Sequence, residues 1–233
     1  MSLQFSASEI TCVDKSKYAS LEGCISPAVH SPKEYFTAYG QVLANLPYKD
    51  IDKAIAEIMA VYDRGSSIFT FGNGGSAALA SHLACDLAKG TIIGQNGYKR
   101  FRVLALTDNI ALMTAWANDN CYDQIFAQQL QNFVVPGDLA FAISGSGNSP
   151  NVLRGLELAR EHGARTLGLT GFKGGKLKAL CDVCIVLPSE NMQIIEDFHL
   201  SVTHAISSVI RQKVSHSVHA QQSQPMTATG MAD

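Results

Sequence analysis

Short apolar segments alternate with helix-like segments along most of this chain, and that alternation limits its fold more than any other feature. Five of them have β-branched and leucine-rich interiors without a clean polar–apolar alternation: Ser67–Phe71, Arg102–Leu106, Asp138–Ser144, Ala164–Thr170 and Asp182–Leu187. Strands of this kind are typical of a parallel sheet that is covered on both faces. Because connections between parallel strands are right-handed, we predict an α/β fold, a doubly wound three-layer αβα sandwich around a five-stranded parallel sheet.

Helical patterns fill the intervals and also precede the first strand. Pro32 opens a helix that reaches about Leu46, and Asp50 is placed to cap a second helix. The apolar face of that second helix has three- and four-residue spacing: Ile51, Ala54, Ile55, Ile58 and Val61. Further helices are predicted over residues 76–89, 109–117, 123–133, 150–162 and 192–214.

The two ends of the chain differ from its middle in composition. Residues 1–31 have mixed polarity without a sustained period, and residues 215–233 are rich in glutamine and serine and poor in large apolar side chains. Such segments bury too little apolar surface to fold by themselves. We therefore predict a weakly ordered segment over 1–31, a single domain over 32–214, and a disordered polar tail over 215–233.

Charge is scarce in this sequence. Charged residues make up 16% of it, against about 25% in an average soluble domain, so we expect other copies of the chain to cover part of the surface. The net charge of −2 gives no electrostatic basis for binding nucleic acid or an anionic membrane. No apolar run reaches the roughly 20 residues that span a bilayer, and Met1–Ile10 lacks the pattern of a signal peptide. We expect a cytoplasmic protein.

The chain has six cysteines, and their irregular spacing predicts reduced thiols rather than a disulfide framework. One pair, Cys181 and Cys184, forms a C-x-x-C motif of the type that redox pairs and zinc knuckles use. A second C-x-x-C is missing, and Cys184 lies inside an apolar, strand-like run. We therefore interpret both cysteines as small buried side chains.

A glycine-rich turn, Gly72–Ser76, follows the first strand and leads directly into a helix. Glycines allow positive φ and close approach of the backbone, and a helix N-terminus offers unpaired N–H groups and a partial positive charge. The turn therefore favours an anionic or polyhydroxylated ligand. It lacks the acidic partner of a dinucleotide site and the Lys-Ser/Thr ending of a P-loop, so a plain strand-to-helix turn stays open for this loop alone.

A second loop of the same kind, Ser144–Ser149, precedes a helix that begins at Pro150. Its hydroxyls, its glycine backbone and the helix N-terminus form a phosphate cradle built from neutral donors. Both loops follow strands of one parallel sheet, and ligands of such sheets bind at the carboxyl ends of the strands. We predict that the two loops share one crevice.

Two helices carry side chains suited to holding a metal ion or moving a proton. His82 and Asp86 are four residues apart on the helix after the first loop, so they project from one face. On the last helix, Glu196, His199 and His204 fall within an arc of about 140°. Histidines and carboxylates that flank one crevice are typical of a metal or acid–base site, although a histidine taken alone is more often an ordinary core or surface residue than a ligand.

These motifs resemble a known family. FGNGGSAALASHLACDLAKG, LTDNIALMTAWANDN and ISGSGNSPNVLRGLELAREHGARTLGLTG with its following GGK are similar to the sugar isomerase (SIS) family, and within it to the phosphoheptose isomerases. The resemblance covers Pro32–Arg211 and implies a flavodoxin-like SIS fold and a cytoplasmic homotetramer. It also implies an isomerase that converts sedoheptulose 7-phosphate to D-glycero-D-manno-heptose 7-phosphate for heptose and lipopolysaccharide biosynthesis. Two alternatives stay open: an isomerase of another phosphosugar, and a non-catalytic SIS module that senses a phosphosugar or binds a protein such as a replication initiator.

The resemblance also implies roles for individual residues. The family arranges a His, a Glu, a Gln and a second His around a divalent metal, usually zinc, and these positions are His82, Asp86, Glu196 and His204 here. Asp86 is one methylene shorter than the family's glutamate, and Glu196 adds a charge where the family has glutamine, so Mn²⁺ or Mg²⁺ stays open beside Zn²⁺. Asp86 would be the catalytic base and His204 the general acid. The implied substrate contacts are Asn73, Gly74, Gly75, Ser76, Asp108, Asn118, Asp119, Ser144, Gly145, Ser146, Ser149 and Glu196, with Asp108 also placed to cap the helix that follows it.

Overall fold

The structure is a computed structural model that describes residues 29–93 and 99–222, of which 219–222 are described by their backbone alone. Within these residues, five strands form one parallel sheet: β1 (Ser67–Gly72), β2 (Arg102–Ala105), β3 (Leu139–Ile143), β4 (Arg165–Thr170) and β5 (Val183–Val186). The strand order is β2-β1-β3-β4-β5, the doubly wound order of flavodoxin-like folds. The predicted fold class is confirmed.

Helices cover both faces of this sheet. In the described part of the chain they are α1 (Pro32–Ala44), α2 (Tyr48–Arg64), α3 (Gly75–Cys85), α4 (Ile110–Asp119), α5 (Ala127–Phe133), α6 (Pro150–Glu161), α7 (Leu177–Leu180) and α8 (Met192–Gln222). A π-helical turn (Asp86–Gly90) continues α3, and a 3-10 turn (Tyr122–Gln124) precedes α5. One apolar cluster packs α1, α2, α3 and α8 on one face, and a second packs α5, α6 and α7 on the other. No helix of the described residues is both long and apolar enough to cross a membrane.

The second helix shows how the sequence pattern becomes packing. All five residues of its predicted apolar face are buried, which confirms the pattern. The predicted cap was wrong, because α2 begins at Tyr48 after Pro47, and Asp50 lies in its first turn. Proline has a fixed φ and no N–H to satisfy, so it suits a helix start. The carboxylate of Asp50 instead accepts a hydrogen bond from Lys53 at 2.8 Å.

The C-terminal boundary of the domain was also predicted wrongly in part. Helix α8 continues past Val214 to Gln222, so residues 215–222 are helical and not part of a disordered tail. Val214 and Val218 are buried and continue the four-residue spacing of Ile206 and Ile210. That spacing keeps the helix against the core despite its polar composition. Residues 223–233 and 1–28 of the predicted flexible ends lie outside the described residues.

Candidate active site

The two predicted loops follow β1 and β3, which are neighbours in the sheet. The strand order reverses at this point, and such a switch point opens a crevice at the carboxyl ends of the strands. The end of β1 passes very close to β3, since a Cβ atom on Gly72 would lie 2.6 Å from the carbonyl oxygen of Ile143. Only glycine fits there, and the structure thereby brings the two loops together.

A trio of side chains ties the loops to each other. Asn73 of the first loop and Asn151 of α6 exchange two amide hydrogen bonds, each Nδ2 donating to the other's Oδ1 at 2.8 Å. Tyr122 donates its hydroxyl to the same Asn73 oxygen at 3.0 Å. Asn151 is only 1% exposed, so its amide is committed to this contact. Sequence reasoning found Asn73 but missed Asn151 and Tyr122, although an asparagine directly after the helix-opening Pro150 was a signal for the first.

The second loop is held by its own hydroxyls. The Ser144 hydroxyl accepts a hydrogen bond from the N–H of Gly147 at 3.2 Å and lies 3.3 Å from the Ser149 hydroxyl. The Ser146 hydroxyl accepts from the N–H of Asn148 at 3.2 Å. Gly147 has a φ of 66°, and a Cβ atom there would lie 2.3 Å from the Gly174 carbonyl oxygen. The loop therefore keeps the compact glycine and serine geometry that a phosphate cradle requires.

Three titratable side chains meet beside the first loop: His82 from α3, Asp86 from the start of the π-helical turn, and His204 from α8. The Nε2 atoms of the two histidines are 3.1 Å apart. Oδ2 of Asp86 lies 3.7 Å from Nε2 of His82 and 4.0 Å from Nε2 of His204. Both histidines are about half exposed, so the cluster faces solvent on one side. Asp86 reaches it even though its side chain is short.

The donor atoms of this cluster fit a zinc ion. Two imidazole nitrogens on one tetrahedral zinc ion lie about 3.3 Å apart, because each Zn–N bond is about 2.0–2.1 Å long. The observed separation of 3.1 Å between the two Nε2 atoms is close to that value. The three ligand atoms lie within 4.8 Å of one another, so small side-chain movements would complete the site.

Glu196 lies beside this cluster and not within it. A cavity of about 260 Å³ opens next to His82, and its wall includes Gly75, Ser76, Leu79, Glu196 and His199. The Glu196 carboxylate packs against Gly75, where a Cβ atom would lie 3.2 Å from Oε1. Three of the four predicted metal ligands are thus brought together, and the fourth lines the adjoining cavity.

His199 is the most buried titratable group in that wall. It is 1% exposed, and neither ring nitrogen has a hydrogen bond partner among the described residues. Burial lowers the pKa of His199 to about 4. The nearby Thr170 carbonyl acts to raise this pKa, although neither ring nitrogen makes an aligned hydrogen bond to it. The ring is therefore neutral at physiological pH.

The remaining predicted contacts lie around α4. Asp108 does not cap this helix, as Asn109 does so by accepting a hydrogen bond from the N–H of Leu112 at 3.0 Å. Asp108 instead accepts a hydrogen bond from Ser81 of α3. Asn118 and Asp119 lie at the exposed end of α4 and are joined to each other by a 2.8 Å hydrogen bond. The contact between this part of the chain and the first loop is the hydrogen bond from Tyr122 to Asn73.

Residues 34–171, more than half of the chain, match the SIS domain family. Together with the doubly wound sheet and the two loops at its switch point, this match shows that the chain belongs to the SIS domain family.

Individual relatives show to which group of the SIS family the chain belongs. A probable phosphoheptose isomerase of Thermoplasma volcanium is 38% identical over 177 residues, which cover 76% of this chain and 89% of the relative. The phosphoheptose isomerase of Rhodospirillum rubrum is 40% identical over 169 residues, which cover 69% and 86%. The solved structure of a phosphoheptose isomerase from Francisella tularensis matches with a TM-score of 0.71 at 27% identity, over 77% of this chain and 96% of that one. Within the SIS family, the chain belongs to the phosphoheptose isomerases, and it is an isomerase.

Proposed function

We propose that the chain interconverts sedoheptulose 7-phosphate and D-glycero-D-manno-heptose 7-phosphate. The observation that carries the proposal is the cluster of His82, Asp86 and His204 beside two glycine- and serine-rich loops. An aldose–ketose isomerase must hold the phosphate end of its substrate and move protons at the carbonyl end. The relatives named phosphoheptose isomerases support the choice of a seven-carbon sugar.

The second loop is the proposed phosphate site. The hydroxyls of Ser144, Ser146 and Ser149 and the backbone of Gly145 would surround the phosphate at the start of α6, where the helix dipole favours an anion. Lys173 and Lys176, on either side of the following pair of glycines, are exposed. Phosphate recognition therefore rests on neutral donors, and Ser76 at the start of α3 supplies a further hydroxyl in the cavity wall.

Asp86 and His204 are the proposed proton carriers. In this reaction a proton leaves one carbon beside the carbonyl and returns to its neighbour through an enediol. We assign the carbon-bound proton to Asp86 and the hydroxyl proton to His204. Their facing atoms, Oδ2 and Nε2, are 4.0 Å apart, which is close enough for them to act on neighbouring atoms of one substrate.

A zinc ion held by His82, Asp86 and His204 is part of the proposal, with Glu196 next to it. When bound, zinc would polarise the substrate carbonyl and stabilise the developing oxyanion. A single lone pair on Nε2 of His204 cannot hold a metal ion and a proton at once. We infer that His82 and Asp86 would hold the metal ion while Nε2 of His204 is free of it and carries the proton.

We propose that the chain is a cytoplasmic homotetramer, and exposed apolar helices support its assembly with further copies. Helix α4 is rich in apolar residues, yet none of its residues is fully buried, and Ile110 is 71% exposed. Phe36 of α1 is 67% exposed. Apolar helices of this kind need a further partner, and covering α4 would set a subunit boundary beside Tyr122 and Asn73. Light scattering during size-exclusion chromatography tests this point, and a monomer at micromolar concentration would contradict it.

Substitution of His204 tests the assignment of the site. We expect His204→Ala to abolish turnover of sedoheptulose 7-phosphate while circular dichroism shows a folded chain, because the side chain is half exposed and lies outside the core. His216→Ala, at an exposed position further along α8, is the matched control and should keep full activity. Activity in His204→Ala would show that the acid is another group.

A further inference from the structure

Cys181 and Cys184 form a second cluster of reactive side chains that the proposed reaction does not use. Cys181 follows α7, and Cys184 lies in the edge strand β5. Both side chains are half-buried and pack against the apolar cluster of α5, α6 and α7. This is the side of the sheet opposite α3 and α8, which carry the histidine cluster. The sequence predicted two small buried side chains, and in the structure both pack against the apolar cluster but are only partly buried.

A glycine gives the two sulfur atoms a shared space. Gly168 of β4 is the neighbour of Cys184 in the parallel ladder. A Cβ atom on Gly168 would lie 2.7 Å from Sγ of Cys181 and 3.4 Å from Sγ of Cys184. Both sulfurs consequently face the small volume that the missing side chain leaves.

The two thiols differ in acidity. Interaction with the neighbouring Cys184 thiol and burial raise the pKa of Cys181. Interaction with the Cys181 thiol lowers the pKa of Cys184. Burial opposes this shift, and the positive charge of Lys178 supports it. Thiolates are the nucleophilic form of cysteine, so Cys184 is the sulfur prepared to react first.

We propose that Cys181 and Cys184 are an oxidisable dithiol that hydrogen peroxide converts to an intramolecular disulfide. The Cys184 sulfur attacks a peroxide oxygen, the O–O bond breaks, and Cys184 becomes a sulfenic acid while the other oxygen leaves as water. Cys181 then attacks the sulfenic sulfur, the S–S bond forms, and a second water leaves. Two thiols lose two electrons and two protons, and one hydrogen peroxide is reduced to two waters.

Mass spectrometry of the full chain tests the proposal. The chain is treated with one equivalent of hydrogen peroxide per protomer, denatured, alkylated and digested with trypsin, which places both cysteines in one peptide of residues 179–211. We expect most of this peptide to resist alkylation and to be lighter by two hydrogens, and we expect dithiothreitol to reverse the change. Full alkylation of Cys181 and Cys184 after treatment would overturn the proposal, as would disulfides that join Cys85 or Cys121 instead.

Two sets of variants make the test specific. In Cys181→Ser, peroxide should oxidise Cys184 only as far as a sulfenic acid, which dimedone labels. In Cys184→Ser, dimedone should label Cys181 only weakly. The double variant Cys85→Ser, Cys121→Ser removes the exposed cysteines of the described residues and should form the disulfide like the wild-type chain. Equal dimedone labelling of Cys181 and Cys184 in the two single variants would contradict the assigned order of attack.

Discussion

Acid should destabilise this protein through one buried histidine. His199 of α8 is 1% exposed, and its ring has no hydrogen bond partner among the described residues. Burial lowers its pKa to about 4 in the folded chain, whereas an unfolded chain takes up the proton at the ordinary pKa of about 6.5. Between these two values the unfolded state binds more protons, so the free energy of unfolding rises with pH and is lost as the pH falls.

The size of the effect follows from the two pKa values. A tenfold difference in proton affinity is worth about 1.4 kcal/mol. Through His199 alone, the wild-type chain should therefore lose about 2 kcal/mol between about pH 7 and about pH 5, and about 3 kcal/mol by about pH 4. Replacing His199 with leucine removes the titrating group from a site that offers the ring no aligned hydrogen bond.

Urea unfolding at a fixed protomer concentration measures the effect in the wild type and in His199→Leu. The loss between about pH 7 and about pH 5 should be smaller in the variant by about 2 kcal/mol, whatever the absolute stability of the variant. His216→Leu, at an exposed position of the same helix, is the control and should behave as the wild type does. Equal losses in the wild type and in His199→Leu would refute the reasoning.

Two further predictions concern the crevice. Asn151→Ala removes both hydrogen bonds to Asn73, each worth about 1 kcal/mol, so kcat/KM should fall about tenfold or more. The control is Asn132→Ala, at an exposed position of α5, which should leave kcat/KM unchanged. An unaltered kcat/KM in Asn151→Ala would contradict the role of Asn151 in positioning the first loop. Gly75→Ala places a methyl group 3.2 Å from Glu196 Oε1 and should lower kcat/KM by displacing that carboxylate. Its control is Gly40→Ala, where the methyl group meets nothing within 4 Å and should only stabilise α1, by about 0.5–1 kcal/mol. Wild-type kinetics in Gly75→Ala would show that the packing of Glu196 against Gly75 is unimportant for activity.

The fold could be predicted from the sequence because burial on both faces of a strand leaves a continuous apolar run. That is why β3 and β4 were located to within a residue of their ends. The short helix α7 was missed, since four residues carry no helical period. The end of α8 was missed because Val214 and Val218 are single apolar residues among polar ones, and only their packing against the core shows that they extend the helix.

The site could be predicted where its residues are adjacent in sequence. His82 and Asp86 share a helix face, and each loop directly follows a strand, so their placement follows from helix and sheet geometry. The amide pair of Asn73 and Asn151 joins residues 78 positions apart, and no local pattern encodes such a contact. The position of Glu196 in the cavity wall likewise depends on how α8 packs against Gly75.

We propose that the cluster of His82, Asp86 and His204, beside the first loop, isomerises a seven-carbon sugar phosphate. The most direct test follows sedoheptulose 7-phosphate by NMR in the presence of the purified full chain, once with added zinc and once with a chelator. We predict that aldose signals appear with zinc, disappear with the chelator and return when zinc is restored. Absence of conversion with added zinc would contradict the isomerase activity, and conversion that the chelator leaves unchanged would contradict the metal site.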